Sequence, residues 1–227
     1  MIVATLLLLT GGFQTGAVEG FESRKIGADL SGSAPDSGGG SWTIYNKTAD
    51  TSYTIVDAPT KAGSRSLCVT AGLEDNSFAV LSSTHAAMTT TTPLVFSTWV
   101  YVGASSKGHN FGLIVQDTTA KIVGKISIVN EANTMFMTST SSVVGPKLSY
   151  DTWHHLAISA VRRDNTVVAT YLVNGKPVTG GGQPVNRNMV DVGAQLKLGL
   201  FSQKNPLNST AGIAYFDGAQ VKSGRSR

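Results

Sequence analysis

Apolar and polar positions alternate in short runs along most of the chain, and turn residues punctuate them. No long window carries a capped helical repeat, so the pattern predicts strands. They fall at 43–47, 52–57, 65–71, 77–82, 93–102, 110–117, 121–129, 133–138, 153–161, 166–173, 194–202 and 212–221. Val, Ile, Thr, Tyr and Phe concentrate in these windows, which suits a pleated, half-buried surface. Asn174-Gly175, between the apolar runs of "YLVNGKPV", predicts a two-residue type I′ hairpin. Gly, Pro and Asn make loops of 57–66 and 178–188, and the Ser/Gly-rich stretch 31–40 reads as a flexible surface loop. Windows 93–102 and 109–117 are apolar on both alternating faces and belong in the middle of a sheet. Together these elements give an all-β fold, a two-sheet antiparallel jelly-roll β-sandwich without internal repeat or linker.

The 227 residues suit one domain. Charged residues make up 14%, against roughly 25% in an average soluble domain. Ser, Thr, Asn and Gly do the solvating instead, as in many extracellular β-proteins. A net charge of +4, with no basic stripe interleaved with aromatics, argues against a nucleic-acid partner. Cys68 is the only cysteine, which excludes an intramolecular disulfide and thiolate-pair metal sites. Its alternating context, "SRSLCVTAG", predicts a buried core thiol and not a nucleophile. The apolar run Ile2–Leu9, followed by Thr15-Gly16-Ala17, is too short to span a bilayer. It reads as a possible signal peptide over 1–17, although it lacks a positively charged start; a first core strand is the alternative. The sandwich then occupies 18–222, residues 223–227 form a basic tail, and the expected location is secreted or cell surface.

The order of motifs carries a resemblance. "WVYV", then "YDTWHHLAIS", "TYLVNGKPV", "LKLGLFS" and finally "AYFDGAQV" resemble the concanavalin A-like or laminin-G-like jelly rolls. "GFES" (20–23), "SWT" (41–43) and "GSRSL" (63–67) look like the first strands of secreted carbohydrate-binding modules of that kind. The likeness implies the sandwich fold more than any function, because the fold hosts lectins, adhesion modules, glycosidases, polysaccharide lyases and inert scaffolds. It also implies that Glu22 and Asp217, from the first and last strands, lie together and bind a structural calcium ion, a cation that accepts irregular oxygen coordination.

The candidate chemistry divides into three classes. In "TWHHLAIS", strand alternation sends His154 and His155 to opposite faces, so the pair is expected to be structural and not a metal grip. Glycoside hydrolysis needs two carboxylates across a cleft, and no alternating acidic strand is present. A polysaccharide lyase needs a Tyr or His base and a group to neutralise the uronate; His109, Gln116, His154, His155, Tyr171 and Tyr215 are the available residues. A non-catalytic lectin-like or adhesion module would stack rings on pyranose faces and take hydroxyls with amides. Trp42, Tyr45 and Tyr53, in the polar, Gly-rich early region, are the expected stacking rings; the resemblance implies Asn110 and Gln116 as hydroxyl partners, while Trp99 and Trp153 read as core. The leading expectation is this binding module with a polysaccharide or glycan partner; a lyase is the alternative and a structural surface scaffold a third. "NKT" (46–48) and "NST" (208–210) are glycosylation sequons, meaningful only in a eukaryotic secretory pathway.

Overall fold

A computed structural model describes residues 15–81, 92–106, 108–117, 122–129, 133–137, 142–164, 166–184, 196–204 and 211–223. These form two antiparallel sheets packed face to face, the expected jelly-roll β-sandwich. In chain order the strands are β1 (Thr15–Glu19), β2 (Ser37–Gly38), β3 (Trp42–Tyr45), β4 (Ser52–Val56), β5 (Ser66–Ala71), β6 (Phe78–Leu81), β7 (Leu94–Val102) and β8 (His109–Gln116). They continue with β9 (Ile122–Val129), β10 (Asn133–Met137), β11 (Ser142–Lys147), β12 (Trp153–Arg163), β13 (Thr166–Val173), β14 (Lys176–Pro184), β15 (Lys197–Lys204) and β16 (Gly212–Ser223). Sheet A runs β14-β13-β12-β7-β16-β1-β2, with β5 also on β16 and β4 on β5; sheet B runs β11-β10-β9-β8-β15-β6-β3. No helix among the described residues is long and apolar enough to cross a membrane.

Every predicted strand is present, with ends shifted by a few residues. Four further strands appear: β1 begins where a leader was expected, β2 and β14 lie in stretches read as loops, and β11 lies in a stretch assigned to no strand. β14 takes up much of the expected loop 178–188, and β2 falls inside the Ser/Gly-rich stretch. β2, β11 and β14 are edge strands, where Pro and Gly are tolerated because one side needs no ladder partner. β1 pairs with β16, and the expected signal boundary after Ala17 falls inside it. The apolar run Ile2–Leu9, the sequon at 208–210 and residues 224–227 of the tail lie outside the described residues.

The Asn174-Gly175 turn has φ of 50° and 76°, the two positive values a type I′ turn requires. His154 explains how this hairpin is held. Its Nε2 lies 2.9 Å from the Ser149 carbonyl, and its Nδ1 lies 3.2 Å from the Asn174 amide nitrogen, whose Oδ1 accepts the His155 N–H. These contacts set the ring with its proton on Nε2 and Nδ1 as acceptor. The histidine pair is a strand element, as expected.

Alternation fills the space between the sheets. Trp42, Tyr53, Phe21, Phe96, Phe111 and Phe216 are among the largest fully buried side chains. Several polar groups drawn into this core find partners. Trp42 donates its indole N–H to Glu19 at 2.9 Å; Glu19 also accepts the Phe21 N–H at 2.8 Å and pairs with the Arg24 guanidinium. Burial pushes Glu19 up to about 7, against the pull of the indole and Arg24. At another point Tyr53 shares a 2.8 Å hydrogen bond with Ser77, whose hydroxyl donates to Asp75 at 3.0 Å; Ser202 also donates to Asp75, and the His109 ring lies 4.0 Å away.

β16 is forked. Residues 212–216 pair with β5 and residues 219–222 with β1, and the register breaks between Asp217 and Gln220. Loop 57–65 fills the gap. The buried Asp217 carboxylate accepts the N–H groups of Lys61 at 2.8 Å and Ala62 at 2.9 Å. Glu22 accepts those of Ser64 at 2.9 Å and Arg65 at 3.0 Å. Removing the first clamp strands two donors, so Asp217→Ala should lower unfolding free energy by roughly 2–4 kcal/mol. Urea denaturation measures this, and a loss below about 1 kcal/mol would contradict the role assigned to the carboxylate.

Candidate functional site

The outward face of sheet B collects three of the residues expected to bind sugar. On β8, Phe111, Leu113 and Val115 point into the core, so Asn110, Gly112, Ile114 and Gln116 point out. On β15, Leu198 and Leu200 point in, leaving Lys197, Gly199, Phe201 and Gln203 outside. On β9, Lys125 and Ser127 are outward, and on β6 and β3 Phe78 and Tyr45 are. Tyr45, 45% exposed, packs against Phe78 with ring centroids 5.9 Å apart. The strand register continues that row across the sheet, from Phe78 to Phe201, Gly112 and Ser127. Asn110 and Gln116 stand on the same strand about 20 Å apart, at either end of the face.

The unexpected member is Lys125. Its side chain is recessed, only 7% exposed, with Nζ 4.1 Å above the Phe201 ring centroid and 2.5 Å from Oε1 of Gln203. Gln203 stands directly opposite Asn110, and Lys125 opposite Ile114. The diagonal from Lys125 to Gln203 therefore crosses β8 at Gly112. A Cβ there would sit 2.0 Å from the Ile126 carbonyl oxygen, so no side chain can stand in the lysine's path. Desolvation lowers the Lys125 amine to about 8, and no carboxylate among the described residues offsets it. Beside this pair, Oδ1 of Asn110 is buried without a hydrogen-bond partner. The recess thus combines a desolvated cation, two amides and an aromatic wall. Periodicity alone put Lys125 on the outward face; its burial depends on Gly112 and Phe201 across the sheet.

The remaining site expectations need correction. Trp42 and Tyr53 are both fully buried, with their polar atoms bound to Glu19 and Ser77, and they offer no ring face to a sugar. Both stand at inward positions of their strands, which their Gly-rich, polar surroundings in the chain concealed. Trp99 and Trp153, expected in the core, are half-buried on the outer face of sheet A. There Trp153, Tyr101 and Tyr215 form a row with centroid spacings of 5.7 and 5.8 Å, while Trp99 packs on His155 at 4.9 Å. Neighbouring rings in the row tilt by 60° and 74°, so they shield one another's faces and make a poor flat platform. Cys68 is also on that outer face, half-buried beside Tyr215, with its thiol pushed up by burial and therefore unreactive.

Glu22 and Asp217 converge on one loop, where both carboxylates accept backbone N–H groups. Their oxygens face N–H donors of one loop, as described above. Burial pushes Asp217 above the usual carboxylate range. Burial also acts upward on Glu22, and the Ser64 hydroxyl and N–H with the Arg65 N–H outweigh it, holding that carboxyl low. Calcium wants about six to eight oxygen ligands. Among the described residues, no three His, Cys, Asp or Glu side chains gather where they could hold a metal.

No protein-family model and no curated protein matches the chain. Solved structures do. The chain is similar to a carbohydrate esterase from the Shiga toxin-encoding bacteriophage phi24B, with a TM-score of 0.63 and 10% identity, over 94% of this chain and 100% of that one. It is similar to the cellulose-induced protein Cip1, with a TM-score of 0.57 and 14% identity, over 90% and 95%. A GH131 β-glucanase catalytic domain from Podospora anserina gives a TM-score of 0.56 and 13% identity, over 90% and 94%. At these identities the likeness bears on the fold alone.

A buried ammonium with no counter-charge among the described residues weakens the fold, because the unfolded chain hydrates it freely. The drop from the ordinary lysine value to about 8 corresponds to about 3 kcal/mol below that pH. Lys125→Met should therefore raise the melting temperature at pH 7 by roughly 6–12 °C. Between pH 8 and the ordinary lysine value the unfolded chain binds the extra proton, so wild-type stability climbs and the variant's advantage fades. A variant less stable than wild type at pH 7 would contradict the unpaired burial.

Proposed function

We propose that the protein is a secreted or cell-surface glycan-binding module of the concanavalin A-like or laminin-G-like kind, whose site is the outward face of sheet B. The observation that carries this reading is the convergence of Tyr45, Asn110 and Gln116 on one face, joined there by Phe78, Phe201, Lys125 and Gln203. Tyr45 offers an exposed ring for a pyranose face, and the half-buried amides of Asn110 and Gln203 offer donors and acceptors for hydroxyls, while Gln116 on the same face is buried. Glycan-active neighbours of the same fold agree with it.

The non-catalytic form of the reading is supported by where the expected lyase bases are. His109, His154 and Tyr171 point inward, and His155 and Tyr215 belong to the opposite sheet's outer face. A polysaccharide lyase keeps one specific point in its favour, the Lys125 amine, because a base near neutral pH suits proton abstraction.

A glycan array followed by calorimetry tests both readings. Binding without the ultraviolet absorbance of an unsaturated uronate product is expected, and the affinity should be the same in calcium and in chelator. Tyr45→Ala should weaken binding roughly tenfold. Product absorbance would establish the lyase instead, and no binding to any glycan would leave the scaffold reading.

A further inference from the structure

The buried charges of this protein differ in how they are neutralised. Glu19 has Arg24 and two N–H donors; Asp75 has the hydroxyls of Ser77 and Ser202; Asp217 has two backbone N–H groups. Among the described residues, Lys125 has one neutral amide oxygen and the face of a phenyl ring. An ammonium taken from water without an anion is costly, and evolutionary tolerance of it is easiest to explain if an anion arrives from outside.

We propose that Lys125 is the receptor for the carboxylate of a uronic acid, so that the glycan bound on sheet B is an acidic one. This rests on the glycan-binding reading above and names the class of its ligand. The recess selects for a protruding acidic group over a ring face, because Lys125 is only 7% exposed and its Nζ is flanked by the Phe201 ring and Gln203. One ammonium and neutral amides supply a single positive charge, which matches a carboxylate better than a phosphate monoester. The carboxylate takes the charge-assisted hydrogen bond that Gln203 now accepts, and freed Gln203 remains an amide partner for the sugar. Asn110 supplies a complementary demand: its Oδ1 lacks a donor, and a uronate carries hydroxyls beside its carboxylate. The Phe201 face beneath the ammonium keeps it dry and strengthens its attraction for the incoming charge.

The test uses the full chain and pairs of oligosaccharides that differ only at carbon six: uronate oligomers of several linkages, each beside its carboxyl-reduced counterpart. Calorimetry should give the uronate member at least about tenfold tighter binding, as expected for one desolvated charge-assisted contact. Lys125→Met should remove that preference, and Lys125→Arg should retain part of it; thermal melting checks that both variants are folded. Equal affinity for both members in the wild type, or a preference that survives Lys125→Met, would overturn the proposal while leaving glycan binding intact. If neither member binds, the glycan reading fails as well. Sodium acetate serves as the free-anion probe: stabilisation by acetate with no oligosaccharide binding would assign the recess to small free carboxylates and overturn the glycan ligand.

Discussion

Each strand of a two-sheet sandwich must turn one face to the other sheet, and this constraint decides the rest of the molecule. With a period of two residues, a side chain's parity fixes whether it builds the core or the surface. Trp42 and Tyr45 show the consequence on one short strand. The indole goes inward and is completely buried; the phenol three residues later goes outward and stays 45% exposed. The same rule sends His154 inward to hold a hairpin and Trp153 outward into an aromatic row.

Charge obeys a second constraint once parity has acted. Inward-facing polar groups can stay only where the core offers partners, and Glu19, Asp75 and Asp217 each have several. Their arrangement is structural: the Glu19 cluster ties β1 to β3, and Asp217 with Glu22 closes the fork in β16 where two strands compete for one edge. Lys125 is buried by different means. It lies across the outer face of sheet B, over the gap at Gly112, and its neighbours satisfy its stem better than its charge. A group held at the expense of stability on a face rich in amides and rings is better explained by ligand binding than by folding.

Most of the architecture was readable from periodicity. Central strands such as β7, β8, β12 and β13 are apolar enough to announce themselves, and Asn174-Gly175 named its own turn. The strands that escaped were β1 and three at sheet edges, such as β14 with "TGGGQP", where composition is free to look like a loop. The site was half legible. Tyr45 was chosen from its polar, Gly-rich surroundings and Asn110 and Gln116 from the family resemblance, and the three do share a face. Trp42 and Tyr53 were chosen from polar surroundings, but the chain's local polarity does not reveal the parity of one residue. Trp99 and Tyr101 were readable by counting outward positions from the inward Val100. Lys125 was not, because its burial comes from β8 and β15, strands that meet β9 only through the register of the sheet.

The most direct measurement is backbone amide chemical-shift mapping by NMR during titration with the tightest-binding oligosaccharide. The account predicts that shifts concentrate on the strands of sheet B that carry Tyr45, Asn110, Lys125 and Gln203, with Gln116 marking the far end of the track. Shifts concentrated instead on Trp99, Tyr101, Trp153 and Tyr215 would move the site to the outer face of sheet A and contradict it.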